Sequence, residues 1–222
     1  FDHPLLVISN SWGDIRLSAS FESLLKSLNH PYVNNVFARN SAQMTHAKTR
    51  EVTPADSLVV GMREGIPTGI GQSADNNPQI GYSGLTPENI VMAPIYVMKW
   101  AEVDFLRAEG ALRGWNMGGT AEFFYNRGIE NADLEDPMIT GGNGFYQQGL
   151  ADYMAQESAT EFTYKDPLGS TPDMPSVTKI GVKWNEADSR EVKLEKIITQ
   201  KYIAIFPFSY EAWTDLRRTG YP

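Results

Sequence analysis

Aromatic rings and hydrogen-bonding side chains in segments without regular patterning are the residues of this sequence best suited to chemistry. Trp12 lies in such a segment, and Tyr82 lies in a stretch from Gly65 to Gly84 that is rich in glycine, proline and asparagine. Arg63 and Asn76 are close to Tyr82 in sequence. An apolar ring can cover the C–H face of a sugar while amide or guanidinium groups donate hydrogen bonds around it. These four residues are therefore predicted ligand contacts, and the alternative is that the rings only pack loops onto a scaffold.

Patterns for catalysis or metal binding are weaker. Residues 69–74 fit G-x-G-x-x-A, but Pro67 precedes them and no helix can start there comfortably, so a dinucleotide site is not predicted. The three histidines lack metal-ligand spacing. Asp133, Glu135 and Asp136 lack the alternate spacing of a calcium loop and are predicted to end a helix. These patterns therefore predict no metal and no cofactor.

Composition and charge narrow the function classes further. Hydrophobic residues make up 41% of the 222, enough for a core, and the net charge of −8 argues against nucleic acid or an anionic bilayer as partner. The absence of cysteine excludes disulfides and thiolate chemistry within this chain. No apolar run approaches the ~20 residues that a membrane helix needs. The chain begins at Phe1 and ends at Pro222, and both ends are expected to be cuts through a longer protein.

The first predicted helix begins at Ser18 or Ser20, either of which can cap it. Asn29 and Pro31 are expected to end it. The apolar residues of this first helix fall on one face: Phe21, Leu24, Leu25 and Leu28.

A short strand is predicted within residues 52–60.

Two amphipathic helices joined by a glycine-rich turn form the most regular part of the sequence. The first is predicted over about residues 95–115, and the second begins after Gly118 and Gly119 with Thr120 as its cap. The apolar stripe of the first is Met98, Ala101, Phe105, Ala108, Leu112 and Trp115. The apolar residues of the second are Ala121, Phe124, Tyr125, Gly128, Ile129 and Ala132.

Three shorter helices are predicted in the remainder of the chain. One lies around residues 150–157, and one follows Asp188, which with Glu191 is expected to form a capping box. The last runs over residues 210–218 after a cap at Ser209. The sequence therefore predicts a mainly α fold, a tetratricopeptide-like scaffold of helical hairpins with long irregular loops and little β structure.

Three segments resemble the SusD/RagB family. They are AEVDFLRAEGALRGW at residues 101–115, IITQKYIAIF at residues 197–206 and EAWTDLRRTGYP at residues 211–222. Their order and spacing also match the family, whereas the loops at 40–90 and 135–185 match weakly. Gly110 departs from the usual alanine and is expected to loosen its helix by about 0.5–1 kcal/mol.

The resemblance implies a surface nutrient-binding lipoprotein without catalytic residues, rather than an enzyme. Such proteins sit on the outward face of the Gram-negative outer membrane through an N-terminal lipid anchor. Each binds a glycan, or in some members a peptide, and hands it to a SusC-like TonB-dependent transporter. Residues 1–222 would be the C-terminal part of such a domain, without its N-terminal half.

Several alternatives stay open at this point. Within the family the alternative is peptide capture, as in RagB-like members. From other classes come a helical-repeat interaction scaffold and a carbohydrate hydrolase, which would need two carboxylates facing each other across a sugar. The remaining predictions concern packing: Arg217 and Arg218 bond inside the domain, Trp184 anchors the segment before the long C-terminal helix, and the helical tryptophans pack. Those tryptophans are Trp100, Trp115 and Trp213.

Overall fold

The chain folds into two units, and the regular structure of the described residues is mainly helical. The structure is a computed structural model, and it describes residues 4–9, 15–65, 78–86, 96–135, 149–207 and 209–221. The first unit comprises Phe1–Ala93 with Thr160–Lys179, and the second comprises Pro94–Ala159 with Ile180–Pro222. Among the described residues there is one sheet, which has two short strands. The predicted fold class is confirmed.

The first unit is built around one capped helix. Its elements are α1 (Pro4–Val7), α2 (Ala19–Ser27), α3 (Tyr32–Asn35), β1 (Met44–Thr45), β2 (Val52–Thr53) and a 3-10 turn (Pro78–Gly81). The Ser18 hydroxyl accepts a hydrogen bond from the Phe21 amide at 3.2 Å and caps α2, as predicted. Asn29 follows with a φ of 50°, which a helix cannot continue. The four apolar residues predicted to share a face of this helix are all buried.

The strand predicted within residues 52–60 is shorter than expected. β2 is only Val52–Thr53, and it pairs antiparallel with β1 so that Met44 lies opposite Thr53. Beyond it the Asn40 side-chain oxygen accepts hydrogen bonds from the amides of Ser57 and Leu58, at 2.9 and 3.0 Å. The Asn40 side chain therefore accepts hydrogen bonds from amides that would pair with a neighbouring strand if β2 were longer. One cluster of the core of this unit comprises Ala19, Met44, Val60, Tyr82 and Tyr164.

The second unit contains the predicted helical hairpin. Its helices are α4 (Trp100–Leu112), α5 (Ala121–Glu135), α6 (Leu150–Met154), α7 (Arg190–Ala204) and α8 (Ser209–Thr219). The Thr120 hydroxyl caps α5 by accepting from the Phe123 amide at 3.1 Å. At Gly128 an added Cβ would lie 2.8 Å from the Phe105 ring, so glycine is what lets α4 and α5 approach closely. The hairpin therefore owes its tight packing to a residue without a side chain.

The helix α4 is shorter at both ends than its apolar stripe suggested. Ala101, Phe105 and Ala108 are buried as predicted. Met98 and Trp115 lie outside the helix and are exposed. Gly114, with a φ of 86°, follows the last turn and directs the chain away. The apolar residues spaced by three and four in the sequence therefore extend beyond the residues that form the helix.

The predicted capping box of α7 is wrong. Its N-cap is Ser189, whose hydroxyl accepts from the Val192 amide at 3.2 Å. Asp188 instead accepts a hydrogen bond from the Lys196 ammonium at 2.6 Å. Glu191 accepts one from the Tyr221 hydroxyl at 2.6 Å. Both carboxylates bind tertiary partners, and the neighbouring serine satisfies the helix terminus.

Candidate functional site

Arg63 lies where the chain leaves the core of the first unit. The preceding residue, Met62, is fixed on both sides, because its amide donates to the Leu17 carbonyl and its carbonyl accepts from the Ala19 amide, each at 2.8 Å. The following residue, Glu64, accepts a hydrogen bond from the Ser20 amide at 3.2 Å. The backbone of Arg63 is thus held in place. Its side chain is half-buried and makes no hydrogen bond or ion pair with the residues that the structure describes.

An arginine in this position offers donors to a ligand. The guanidinium carries five N–H groups in a planar fork that suits carboxylates, amide oxygens and hydroxyls. Because the flanking backbone is fixed, binding a ligand would order only the Arg63 side chain. Arg63 therefore stays a predicted ligand contact, with a structural reason for its availability.

Tyr82 is a core residue in this structure. It is 1% exposed, and its hydroxyl donates a hydrogen bond to the Asp166 carboxylate. Burial raises the pKa of this phenol, and the neighbouring carboxylate raises it further. A ring without an exposed face cannot cover a sugar, so its burial favours the packing alternative over ligand contact.

The carboxylate of Asp166 organises the turn that covers Tyr82. It accepts hydrogen bonds from the amides of Leu168 at 3.1 Å, Ser170 at 2.8 Å and Thr171 at 2.9 Å. Burial pushes the pKa of Asp166 upward, but the hydrogen bonds from Ser170, Tyr82 and the amides outweigh burial and lower it. This carboxylate is therefore ionised and fully used in holding the turn.

A second tyrosine ties the same turn to the segment that carries Arg63. The Tyr164 hydroxyl donates to the Gly61 carbonyl at 2.8 Å. At Gly61 an added Cβ would lie 2.5 Å from the Ser18 carbonyl oxygen, so only glycine fits against the N-terminus of α2. The ordered core therefore extends to within two residues of Arg63.

Trp12 and Asn76 lie outside the described residues, as do residues 69–74 and Asp136. Trp12 and Asn76 therefore remain predicted ligand contacts. Of the other acidic residues considered for a calcium site, Asp133 is buried, and Glu135 accepts hydrogen bonds from the Trp100 and Ala101 amides. The structure thus assigns Glu135 to the N-terminus of α4, where a carboxylate is favourable.

A buried ion-pair network connects three helices of the second unit. The Lys201 ammonium of α7 lies 3.4 Å from a Glu102 oxygen on α4 and 2.8 Å from an Asp215 oxygen on α8. The Arg218 guanidinium, also on α8, donates to Glu109 at 2.9 Å. Burial raises the pKa of Glu109, but its bonds to Arg218 and Arg113 outweigh burial and lower it. The prediction that the paired arginines bond inside the domain is confirmed for Arg218.

Of the four tryptophans predicted to pack inside the domain, one is buried and three are exposed. Trp184 is buried against the Tyr125 ring, with 5.1 Å between ring centroids, and its indole N–H donates to Glu186 at 2.9 Å, so its predicted anchoring role is confirmed. The three tryptophans expected to pack are exposed instead. Their exposed fractions are 73% for Trp100, 65% for Trp115 and 60% for Trp213. Sequence periodicity placed them near helices but could not tell which face has a neighbour.

Comparison with known proteins identifies the family. The SusD-like family, described as SusD and RagB outer membrane lipoproteins, matches residues 1–222. The chain belongs to this family. No functionally curated protein matches it.

Solved structures of SusD homologues share this fold. A chitin-binding SusD homologue from Flavobacterium johnsoniae is 37% identical with a TM-score of 0.76, and the match covers 100% of this chain and 40% of that one. A SusD homologue from Bacteroides ovatus is 35% identical with a TM-score of 0.76, covering 100% of this chain and 42% of that one. One from Bacteroides thetaiotaomicron is 35% identical with a TM-score of 0.77, covering 97% and 40%. The chain therefore spans about two fifths of the length of these relatives.

Membrane attachment through a helix of this chain is not seen in its described part. None of the described helices is long and apolar enough to cross a bilayer. The family itself is one of outer-membrane lipoproteins.

Proposed function

We propose that this SusD-like chain belongs to the ligand-capturing component of an outer-membrane uptake pair. The component binds an oligosaccharide without cleaving it and delivers it to a SusC-like TonB-dependent transporter. The observation that carries this proposal is the family match over the whole chain, together with 37% identity to a chitin-binding homologue. The chain is taken as the C-terminal part of a lipoprotein whose anchor lies outside it and which faces outward from the Gram-negative cell.

The ligand contacts are assigned to the loops of the first unit. Trp12 would cover a sugar face, and Arg63 and Asn76 would donate hydrogen bonds to its oxygens. Tyr82 supports them indirectly by closing the turn at Asp166. Chito-oligosaccharides are the first ligands to test, since the N-acetyl oxygens of such a sugar are good acceptors for a guanidinium.

Three buried carboxylates among the described residues are held in structural roles, which is compatible with binding without turnover. Glycoside hydrolysis requires two carboxyl groups facing each other across the sugar, one of them protonated. The buried Asp104 pairs with Arg127 and also accepts from Asn131 at 2.7 Å. Glu109 and Asp166 are likewise held by several donors each. These groups are occupied in structural roles and are not directed at a ligand.

Peptide capture is the second candidate. The family description includes RagB, and the donors of Arg63 suit a peptide carboxylate as well as they suit a sugar hydroxyl. A scaffold without a small ligand is a third reading, which the exposed rings of the second unit favour.

The test is a calorimetric titration of the full-length lipoprotein with chito-oligosaccharides, other oligosaccharides and peptides, followed by product analysis of the same samples. We expect saturable binding of one glycan class and no cleavage. Arg63→Ala is expected to weaken binding about tenfold, the effect of losing one hydrogen bond from a charged donor. Trp12→Ala is expected to weaken it at least as much.

Arg39→Ala is the matched control. Arg39 is an exposed arginine of the same unit, and its guanidinium donates to the Asp56 carbonyl at 3.2 Å, so its removal should leave the affinity unchanged. Binding of peptides alone would transfer the proposal to the peptide branch. Cleavage would overturn the non-catalytic assignment, and equal affinities of the Arg63 and Arg39 variants would place the site elsewhere.

A further inference from the structure

The segment that carries Arg63 runs alongside the start of α2. The two segments meet in a parallel bridge between Ser18 and Met62, whose amide and carbonyl bond the residues on either side of Ser18 at 2.8 Å. Because the pairing is parallel, moving two residues further along both segments brings Glu64 to Ser20. Met62 packs against the core, and successive side chains of an extended segment alternate in direction. Arg63 is therefore expected on the side opposite to Met62.

Glu64 binds the first turn of α2 through two donors of one residue. Its carboxylate accepts hydrogen bonds from the Ser20 amide at 3.2 Å and from the Ser20 hydroxyl. Amides in the first turn of a helix have no partner within the helix, and negative charge is favourable there. Burial raises the pKa of Glu64, but hydrogen bonds from Ser20, from its own amide and from Ser18 outweigh burial and lower it. The carboxylate is therefore ionised at neutral pH and occupied by α2.

The binding of Glu64 to α2 also affects the neighbouring guanidinium. A carboxylate is the side chain that suits an arginine best. Within the described parts of the chain, however, no ion pair joins Arg63 to Glu64 or to another carboxylate. Because Ser20 holds the Glu64 carboxylate, this carboxylate does not compete with a ligand for the Arg63 donors.

The residues before Arg63 are held by buried groups instead. The Gly61 amide donates to the Glu22 carboxylate at 2.6 Å, and the Gly61 carbonyl accepts from the Tyr164 hydroxyl at 2.8 Å. Glu22 and Tyr164 are both buried, so substituting either would disturb the core of the unit. Glu64 differs because it is exposed and follows Arg63. Its substitution should alter the path of the chain at Arg63 with little effect on the core.

We propose that Glu64 is the positioning residue for Arg63. The chain is fixed before Arg63 by the backbone bonds of Met62 and after it by the bond of Glu64 to Ser20. Fixing both sides removes ordering that a ligand would otherwise have to bring about, which favours binding. The inference rests on the proposed function, because it takes Arg63 as a ligand contact. Glu64 itself is not expected to touch the ligand.

The first test is a double-mutant cycle on the full-length lipoprotein, titrated with chitohexaose in a calorimeter. Glu64→Ala should weaken binding about threefold to tenfold, the effect of having to order one more side chain on binding. Glu64→Gln keeps an oxygen that accepts from Ser20 and should bind like the wild type. In the Arg63→Ala background, Glu64→Ala should have no further effect, because its role is exerted through Arg63.

The outcomes of the cycle separate this inference from the proposed function. Equal affinities of the wild type and Glu64→Ala would overturn the inference, as would the same loss with and without Arg63. A loss in Glu64→Gln as large as in Glu64→Ala would also overturn it, since the charge and not the hydrogen bond would then matter. Absence of chitohexaose binding, or an unchanged affinity in Arg63→Ala, would count against the proposed function, and the second test then decides the inference.

The second test needs no ligand. Selective ¹⁵N-arginine labelling of the full-length protein reports the backbone mobility of Arg63 on the picosecond-to-nanosecond timescale, and loss of the signal in Arg63→Ala assigns it. We expect an order parameter of about 0.85 in the wild type and in Glu64→Gln, and of about 0.6 or less in Glu64→Ala. Arg39, which contacts Asp56 of the same unit, is the internal reference and should not change. An Arg63 amide that is equally rigid in all three proteins would overturn the inference.

Discussion

A buried histidine is expected to make the stability of the first unit depend on pH. His30 is 2% exposed, and its Nδ1 accepts a hydrogen bond from the Tyr32 amide at 3.3 Å. Its ring packs edge-on against the Tyr32 ring, with 4.2 Å between the ring centroids. Burial lowers the pKa of His30 from its ordinary 6.5 to about 3. The side chain is therefore neutral in the folded protein throughout the physiological range.

The sign and size of the effect follow from proton linkage. Below pH 6.5 the unfolded chain binds a proton at His30 that the folded protein does not, so the free energy of unfolding falls as the pH falls from 6.5 towards about 3. Each pH unit within that window is worth about 1.4 kcal/mol. Between pH 7 and pH 5 the loss amounts to about 2 kcal/mol, a large part of the stability of a typical domain.

The assay is urea denaturation at pH 7, 6 and 5 for the wild type and for His30→Asn. Asparagine keeps a side-chain acceptor near the Tyr32 amide but does not titrate, so the variant should lack the loss of about 2 kcal/mol even if it is less stable at pH 7. Burial raises the pKa of Glu22, which acts in the opposite direction as the pH falls, but both proteins share that effect. The same pH dependence in both proteins would refute the reasoning.

Two further predictions concern packing and buried charge in the second unit. Gly181→Ala would place a methyl group 2.3 Å from the Gln156 carbonyl oxygen. We expect it to lower the free energy of unfolding by about 3 kcal/mol or more, whereas the unobstructed Gly149→Ala should change it by less than about 1 kcal/mol. Urea denaturation of both variants checks this, and similar losses would contradict it. Lys201→Met leaves the buried Glu102 without its cation and removes one of the two cations of Asp215, and should cost about 3–5 kcal/mol, part of which Glu102→Gln should restore in the double variant. A loss below about 1 kcal/mol in the single variant would show that the network is not needed.

Local sequence signals predicted the helices because their causes are local. Ser18 and Thr120 each cap a helix by accepting from an amide three residues ahead. The apolar faces of α2 and α5 are likewise set by spacings of three and four. The one capping error arose between two adjacent polar residues, Asp188 and Ser189, and the distant Lys196 decided between them.

The orientation of α8 could not be predicted from its own residues. The sequence displays both apolar and charged residues on this helix, and the usual pattern of surface helices predicts that the apolar ones are buried. Lys201 lies on another helix, and it is this buried cation that brings Asp215 inward. Which side of an amphipathic helix faces the core depends on its neighbours, and a single helix does not encode them.

The candidate site shows the same division. The sequence by itself predicted the family, the mainly helical class, most of the helices and the location of Arg63 and Tyr82 outside helices and strands. Only the tertiary structure separated Arg63, which keeps its donors available among the described residues, from Tyr82, whose partner Asp166 is 84 residues away in the chain. Helices and caps form from groups within about four residues of each other, so a sequence displays them. Burial of a loop side chain depends on contacts between distant segments, which only the folded chain brings together.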